Sequence, residues 1–74
     1  MEVKVRLFAT LRDGRGKELM LDLPGEVTPE RIINELDIPQ KEIAILLING
    51  RDGTFSTILK EEDTVSLFPP VGGG

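Results

Sequence analysis

Three short stretches of this chain alternate apolar and polar residues with a period of two, and that alternation limits the fold more than any other feature. In "EVKVRLF" Val3, Val5 and Leu7 fall on one side and Glu2, Lys4, Arg6 and Phe8 on the other. In "KELMLDL" Leu19, Leu21 and Leu23 oppose Glu18, Met20 and Asp22, and in "TVSLF" Val65 and Leu67 oppose Ser66 and Phe68. Side chains of a strand point alternately to its two faces, so each stretch predicts a strand with one buried and one open face. "RDGRG", residues 12–16, holds Asp-Gly and Arg-Gly pairs and predicts the turn of a hairpin between the first two strands.

Between the second and last of these stretches the period changes. "TPERIINEL", residues 28–36, predicts a short helix: Thr28 as N-cap, Pro29 at the first helical position, and Glu30 in the first turn, where the helix dipole favours an anion. Ile32, Ile33 and Leu36 give it one apolar face, and Pro39 is expected to stop it. "EIAILLIN" is a continuous apolar run bounded by Asn49-Gly50 and predicts a third strand covered on much of both faces. A weak edge strand is expected around Thr54 to Ser56, with Phe55, Ile58 and Leu59 supplying core. The order predicts an α+β fold, a mixed sheet of four to five strands packed on one short helix. Residues 1–68 form the domain in this reading, and 69–74 a flexible tail ending in glycines.

The chain has no Cys, His, Trp or Tyr. That removes most residue types used for metal binding, thiol chemistry and imidazole acid-base work, so no metal site and no independent catalytic residue is expected. A single domain of 74 residues also buries only about 60% of its unfolded surface, leaving little room for a private active-site cavity. No run approaches the length of a membrane span, and "MEVKVRLFATLR" lacks the apolar segment of a signal peptide, so the expected location is the cytoplasm. A net charge of −4 argues against nucleic acid as a partner. The charge is lopsided: residues 1–17 hold Lys4, Arg6, Arg12, Arg15 and Lys17 against Glu2 and Asp13, and the remainder is strongly acidic. Such sorting is either ordinary solvated charge or a surface that steers a charged protein partner.

Phe8 and Phe68 have the parity opposite to the core residues of their strands. If the first and last strands are neighbours, the two rings meet on the outer face beside apolar side chains of "AILLIN". They are then an exposed patch suited to a protein partner, or core wrapped by loops. The end of the chain, "FPPVGGG", poses a matching choice. Pro69-Pro70 favours an extended path that launches Val71, Gly72, Gly73 and Gly74 from the sheet, with a reach of roughly 13 Å for the last four residues. Glycines thread channels too narrow for other residues; alternatively, the tail is an idle terminus.

"VKVRLFATLR" and "VSLFPPVGGG" resemble the small subunit of molybdopterin synthase, within the ubiquitin-like sulfur carriers that include the thiamine sulfur carrier. The resemblance spans essentially the whole chain and implies a β-grasp fold. It implies that the carboxylate of Gly74 is the reactive group: an adenylating enzyme related to ubiquitin-activating enzymes uses ATP to activate it, and a sulfur donor protein converts it to a thiocarboxylate. The tail, with Phe8, Phe68, Pro69, Pro70, Val71, Gly72 and Gly73 as partner contacts, then delivers sulfur in the large synthase subunit. The product is molybdopterin, for a molybdenum or tungsten cofactor. The carrier itself binds no cofactor in this reading. A carrier for thiamine thiazole or another sulfur metabolite, and a protein modifier joined to lysines through Gly74, are the alternatives.

Overall fold

The alternating stretches are strands of one five-stranded sheet in the computed structural model, which describes residues 1–70. Strands β1 (Glu2–Leu7) and β2 (Glu18–Asp22) pair antiparallel, with Val5 opposite Leu19 and Val3 opposite Leu21. Helix α1 (Pro29–Glu35) follows, then β3 (Ile45–Ile48), β4 (Arg51–Asp52) and β5 (Thr64–Phe68). The sheet order is β2-β1-β5-β3-β4, so the first and last strands lie side by side at the centre, and they run parallel. All other pairings are antiparallel.

The parity read from the sequence decides the two faces. Val3, Val5, Leu7, Val65 and Leu67 are fully buried and pack with Ile32 and Ile33 of α1 and with Leu11, Val27, Ile38 and Leu59 from the connections. No polar or charged residue is buried among the described residues, so this core is held by apolar burial, about 1.5–3 kcal/mol per large side chain. At seven residues α1 is too short to persist alone, and its stability comes from laying Ile32 and Ile33 on the sheet. Its start is as expected: Thr28 Oγ1 accepts a hydrogen bond from Arg31 N (3.3 Å), and Pro29 follows at the first helical position.

The helix ends before Pro39. Asp37 takes a left-handed conformation (φ 60°), and the Asp37 and Ile38 amides donate to the Asn34 and Ile33 carbonyls at 3.2 and 2.9 Å. This double closure, with Ile38 buried behind it, terminates the helix without proline. Arg15 reaches across from the β1–β2 connection and donates to the carbonyls of Leu36 and Asp37, a cation at the negative end of the helix. That connection spans residues 8–17 and begins with a 3-10 turn at Ala9–Arg12, so "RDGRG" is the second half of a longer loop and not a tight hairpin turn.

The weak strand lies elsewhere than expected. Arg51–Asp52 pairs with β3, Ile48 opposite Arg51 and Leu47 opposite Asp52, while Thr54 to Ser56 is outside the sheet. Asn49 (φ 53°) and Gly50 (φ 82°) form the two-residue turn, both in the positive-φ region that a tight hairpin demands. Asn49 also ties the hairpin to β5: its Oδ1 accepts from Thr64 N at 2.9 Å and its Nδ2 donates to Asp63 Oδ1 at 2.8 Å. After β4 the chain passes so close to β3 that a Cβ on Gly53 would lie 2.5 Å from Ile48 Cδ1. Leu59 is buried as expected and Phe55 packs at the core edge, but Ile58 is 60% exposed and contributes no core. Its neighbour Leu59 takes the inward position because its amide donates to the Val27 carbonyl at 2.8 Å.

Two adjacent residues therefore separate sharply in cost. Leu59→Ala should lower stability by about 2–5 kcal/mol through the cavity it leaves, whereas Ile58→Ala should stay within about 0.5 kcal/mol of the parent. Urea denaturation midpoints of the two variants check this. Gly53→Ala should cost about 1–3 kcal/mol, because Ile48 must move to admit the methyl group.

Candidate functional site

Among the described residues, only one face of the sheet is covered by the helix and its connections. The other carries Arg6, Ser66 and Leu47 in one row across β1, β5 and β3, and Phe68 opposite Ile45 in the next. Phe8 extends the β1 ladder by one residue: its backbone is extended (φ −125°, ψ 151°), and its amide donates to the Leu67 carbonyl at 3.2 Å. Phe68 is fixed on its other side, where its carbonyl accepts from Ala44 N at 2.8 Å. Parallel pairing of β1 and β5 therefore brings the rings together. Their centroids are 4.1 Å apart with planes 9° from parallel, a stacked pair.

Both rings are half-buried, and Ile45 beside them is 48% exposed. With Ala9, Thr10, Pro69 and Pro70 they line an open, mainly apolar groove of ≈ 620 Å³. The expectation that Phe8 and Phe68 meet on the outer face agrees with this geometry. Pro69 and Pro70 leave β5 at the groove wall; Val71, Gly72, Gly73 and Gly74 lie outside the described residues.

Sequence reasoning did not single out Ala9, Thr10 or Arg12 for this site. Ala9 has φ 52°, a region that costs an L-residue about 1–2 kcal/mol and that turns the chain sharply away from β1 directly after Phe8. The turn brings Arg12 back: its Nε donates to the Leu7 carbonyl at 2.8 Å, and its guanidinium carbon lies 5.3 Å from the Phe8 centroid. Arg6 approaches the same ring at 5.7 Å. Contacts of this kind contribute about 0.5–1 kcal/mol at exposed sites. In the sequence Arg12 stands out only as one of the five cations of residues 1–17, and its spacing from Phe8 carries no meaning until the 3-10 turn is known.

The described residues hold no group of three acidic, His or Cys side chains placed to bind a metal ion, and no helix among them is long and apolar enough to cross a membrane. What the geometry offers is a binding surface: stacked aromatics on rigid strands, an apolar groove, and a cationic border.

The ThiS family model matches residues 5–74. The chain belongs to the ThiS family. A molybdopterin synthase sulfur carrier subunit from Arabidopsis thaliana is 32% identical across all of this chain and 84% of that protein. Among solved structures, small archaeal modifier protein 1 from Methanosarcina acetivorans superposes with a TM-score of 0.71 at 30% identity, covering 99% of this chain and 96% of that one. Subunit 1 or 2 of molybdopterin-converting factor from Helicobacter pylori, in a structure of the complex of the two, matches with a TM-score of 0.66 at 25% identity over the full length of both chains. The resemblance to ubiquitin-like sulfur carriers thus holds, and the mixed five-stranded sheet on one helix is the β-grasp fold that these solved structures share.

The stack itself can be weighed in solution. In a double-mutant cycle, Phe8→Ala and Phe68→Ala should show a coupling of about 0.5–1.5 kcal/mol in unfolding free energy, the contribution of an aromatic pair beyond its buried area. Strictly additive losses would mean that the rings stand near each other without interacting.

Proposed function

We propose that this protein is a sulfur carrier of the molybdopterin synthase small-subunit type, and that the carboxylate of Gly74 is the group that carries sulfur. The observation that bears most weight is the position of the chain's exit. Pro69 and Pro70 leave the central strand β5 against the Phe8–Phe68 stack, so an apolar anchor and the glycine end work as one device. Ordering each terminal residue in a partner costs about 1–2 kcal/mol. A preformed aromatic anchor on rigid strands offsets that cost, because it is already in place before the partner arrives. Family membership and the Arabidopsis sulfur carrier subunit support the same reading.

The chemistry follows from the inertness of a free carboxylate. A Gly74 carboxylate oxygen attacks the α-phosphate of ATP on an adenylating enzyme, forming an acyl-adenylate and releasing pyrophosphate. Hydrosulfide, released by a sulfur donor protein, then attacks the acyl carbon; the bond to AMP breaks and a thiocarboxylate remains. The large synthase subunit receives the tail and takes the sulfur for the dithiolene of molybdopterin. The Helicobacter pylori complex, in which subunits 1 and 2 of molybdopterin-converting factor are bound together, supports this choice of partner. A chain without cysteine is suited to the task, since its own thiols cannot intercept the transferred sulfur.

A second reading has an observation of its own. The likeness to small archaeal modifier protein 1 favours transfer of the same activated Gly74 to a lysine amine of a target protein. The two readings share activation and differ in the acceptor, so isopeptide-linked conjugates in cell lysate separate them.

Removal of Gly74 tests the carrier reading. The shortened chain still ends in Gly-Gly, but its carboxylate stops about 3.5 Å short, and errors of even 1 Å can lower a rate about a hundredfold. After incubation with ATP, the cognate adenylating enzyme and a sulfide source, intact mass should show one oxygen of the parent chain replaced by sulfur at its last residue. The shortened chain should fold normally and remain almost unconverted. Equal conversion of both would overturn the assignment of Gly74.

A further inference from the structure

The charge asymmetry of the sequence has a definite address in the structure. Of the five cations in residues 1–17, Arg15 is used internally, donating to carbonyls of Leu11, Leu36 and Asp37. Arg6, Arg12 and Lys17 instead converge on a hollow of ≈ 250 Å³ beside Phe8, where Glu18 is the one acidic lining residue among the described residues. Glu18 pairs with Arg6 at 3.7 Å, and both side chains are about half exposed, which makes that pair weak. Among the described residues neither Arg12 nor Lys17 has an ion-pair partner. The hollow and the apolar groove have Phe8 as a common lining residue, so the two border each other.

We propose that this hollow takes a carboxylate from the surface of the partner protein and thereby sets the direction in which that partner lies across the sheet. The inference rests on the reading that partners dock at the Phe8–Phe68 groove, and it adds the chemistry of what they must carry. Three details single out a protein carboxylate. Arg12 is held in place by its Nε bond to the Leu7 carbonyl, while its terminal nitrogens have no acceptor among the described residues, so a planar two-oxygen group can be met with little loss of freedom. Lys17 is likewise anchored through its backbone, whose carbonyl accepts from Leu7 N at 2.9 Å. An apolar groove bordering the hollow fits a folded surface better than a free polyphosphate. The complementary surface therefore carries an apolar centre for the groove with an acidic side chain toward β2. A stacked aromatic pair binds almost equally well in several rotations; a single charge contact at its border removes that ambiguity.

Binding of the cognate large synthase subunit, followed by calorimetry at low and at high salt, tests the proposal with Arg12→Glu, Lys17→Glu and Phe68→Ala. Arg12→Glu should weaken binding about tenfold or more at low salt, Lys17→Glu somewhat less, and both losses should shrink at high salt. Phe68→Ala should weaken binding at both. Lys17→Glu guards against misfolding, because the Lys17 side chain makes no hydrogen bond in the described structure, and thermal melts confirm that each variant is folded. Reversing an acidic residue at the partner's interface to Lys should restore binding of Arg12→Glu. If Phe68→Ala weakens the complex while both charge reversals bind as the parent does, the carboxylate assignment is wrong and the docking surface stands. If none of the three weakens it, the docking surface itself is wrong. Saturable shifts of the Arg12 and Lys17 resonances on titration with AMP or pyrophosphate, without loss of partner affinity in the variants, would make the hollow a phosphate site and overturn the proposal.

Discussion

The pairing of β1 with β5 is the interaction on which the rest of this structure depends. It joins the two ends of the chain at the centre of the sheet, in parallel, with Val5 beside Val65 and Leu7 beside Leu67. Those four side chains are fully buried and form the middle of the core. Because residues one step further along each strand point the opposite way, the same register that buries Leu7 and Leu67 delivers Phe8 and Phe68 together to the open face. Core and candidate site are thus two sides of one ladder, and a shift of register by one residue would destroy both.

A small domain with one helix can cover only one face of its sheet, and the uncovered face is where a surface of this kind has to be. Here the open face is neither uniformly polar nor uniformly apolar. Its apolar part is concentrated at the end of β1 and β5, where the chain also leaves the sheet at Pro69. Placing the rings on the two central strands gives them backbone hydrogen bonds from both sides, from Phe8 N to Leu67 O and from Ala44 N to Phe68 O. The anchor is rigid for the same reason that the core is.

The connection after β1 adds the cationic border. Ala9 in its left-handed conformation and the 3-10 turn that follows return the chain toward Leu7, so Arg12 reaches the Phe8 ring and the Leu7 carbonyl at once. Arg15, three residues on, faces the other way and caps α1. One loop thereby serves the helix with one arginine and the open face with another, and an acidic protein presents a basic edge beside its aromatic pair.

Much of this was legible in the residues alone, because strand parity is a local property: Val3, Val5, Leu7, Val65 and Leu67 could be placed inward, and Phe8 and Phe68 outward, without knowing any partner strand. The helix start was legible for the same reason, since Thr28 and Pro29 act within one turn. Its end was not, because Asp37 in a left-handed conformation closes it before Pro39, and local sequence ranks proline above aspartate as a terminator. Asn49-Gly50 marks the end of the third strand in the sequence, but the two-residue strand that follows is too short to show any alternation, and the local pattern favours Thr54 to Ser56 over Arg51-Asp52. Ile58 and Leu59 are alike in composition, and which one turns inward goes with a distant contact, the bond from Leu59 N to the Val27 carbonyl. The sequence by itself determined which side of each strand is apolar and that the chain owns no thiol or imidazole chemistry. The tertiary structure decided which strands are neighbours, and with that the meeting of Phe8 and Phe68, because such proximity depends on contacts between residues some sixty positions apart that no local pattern encodes.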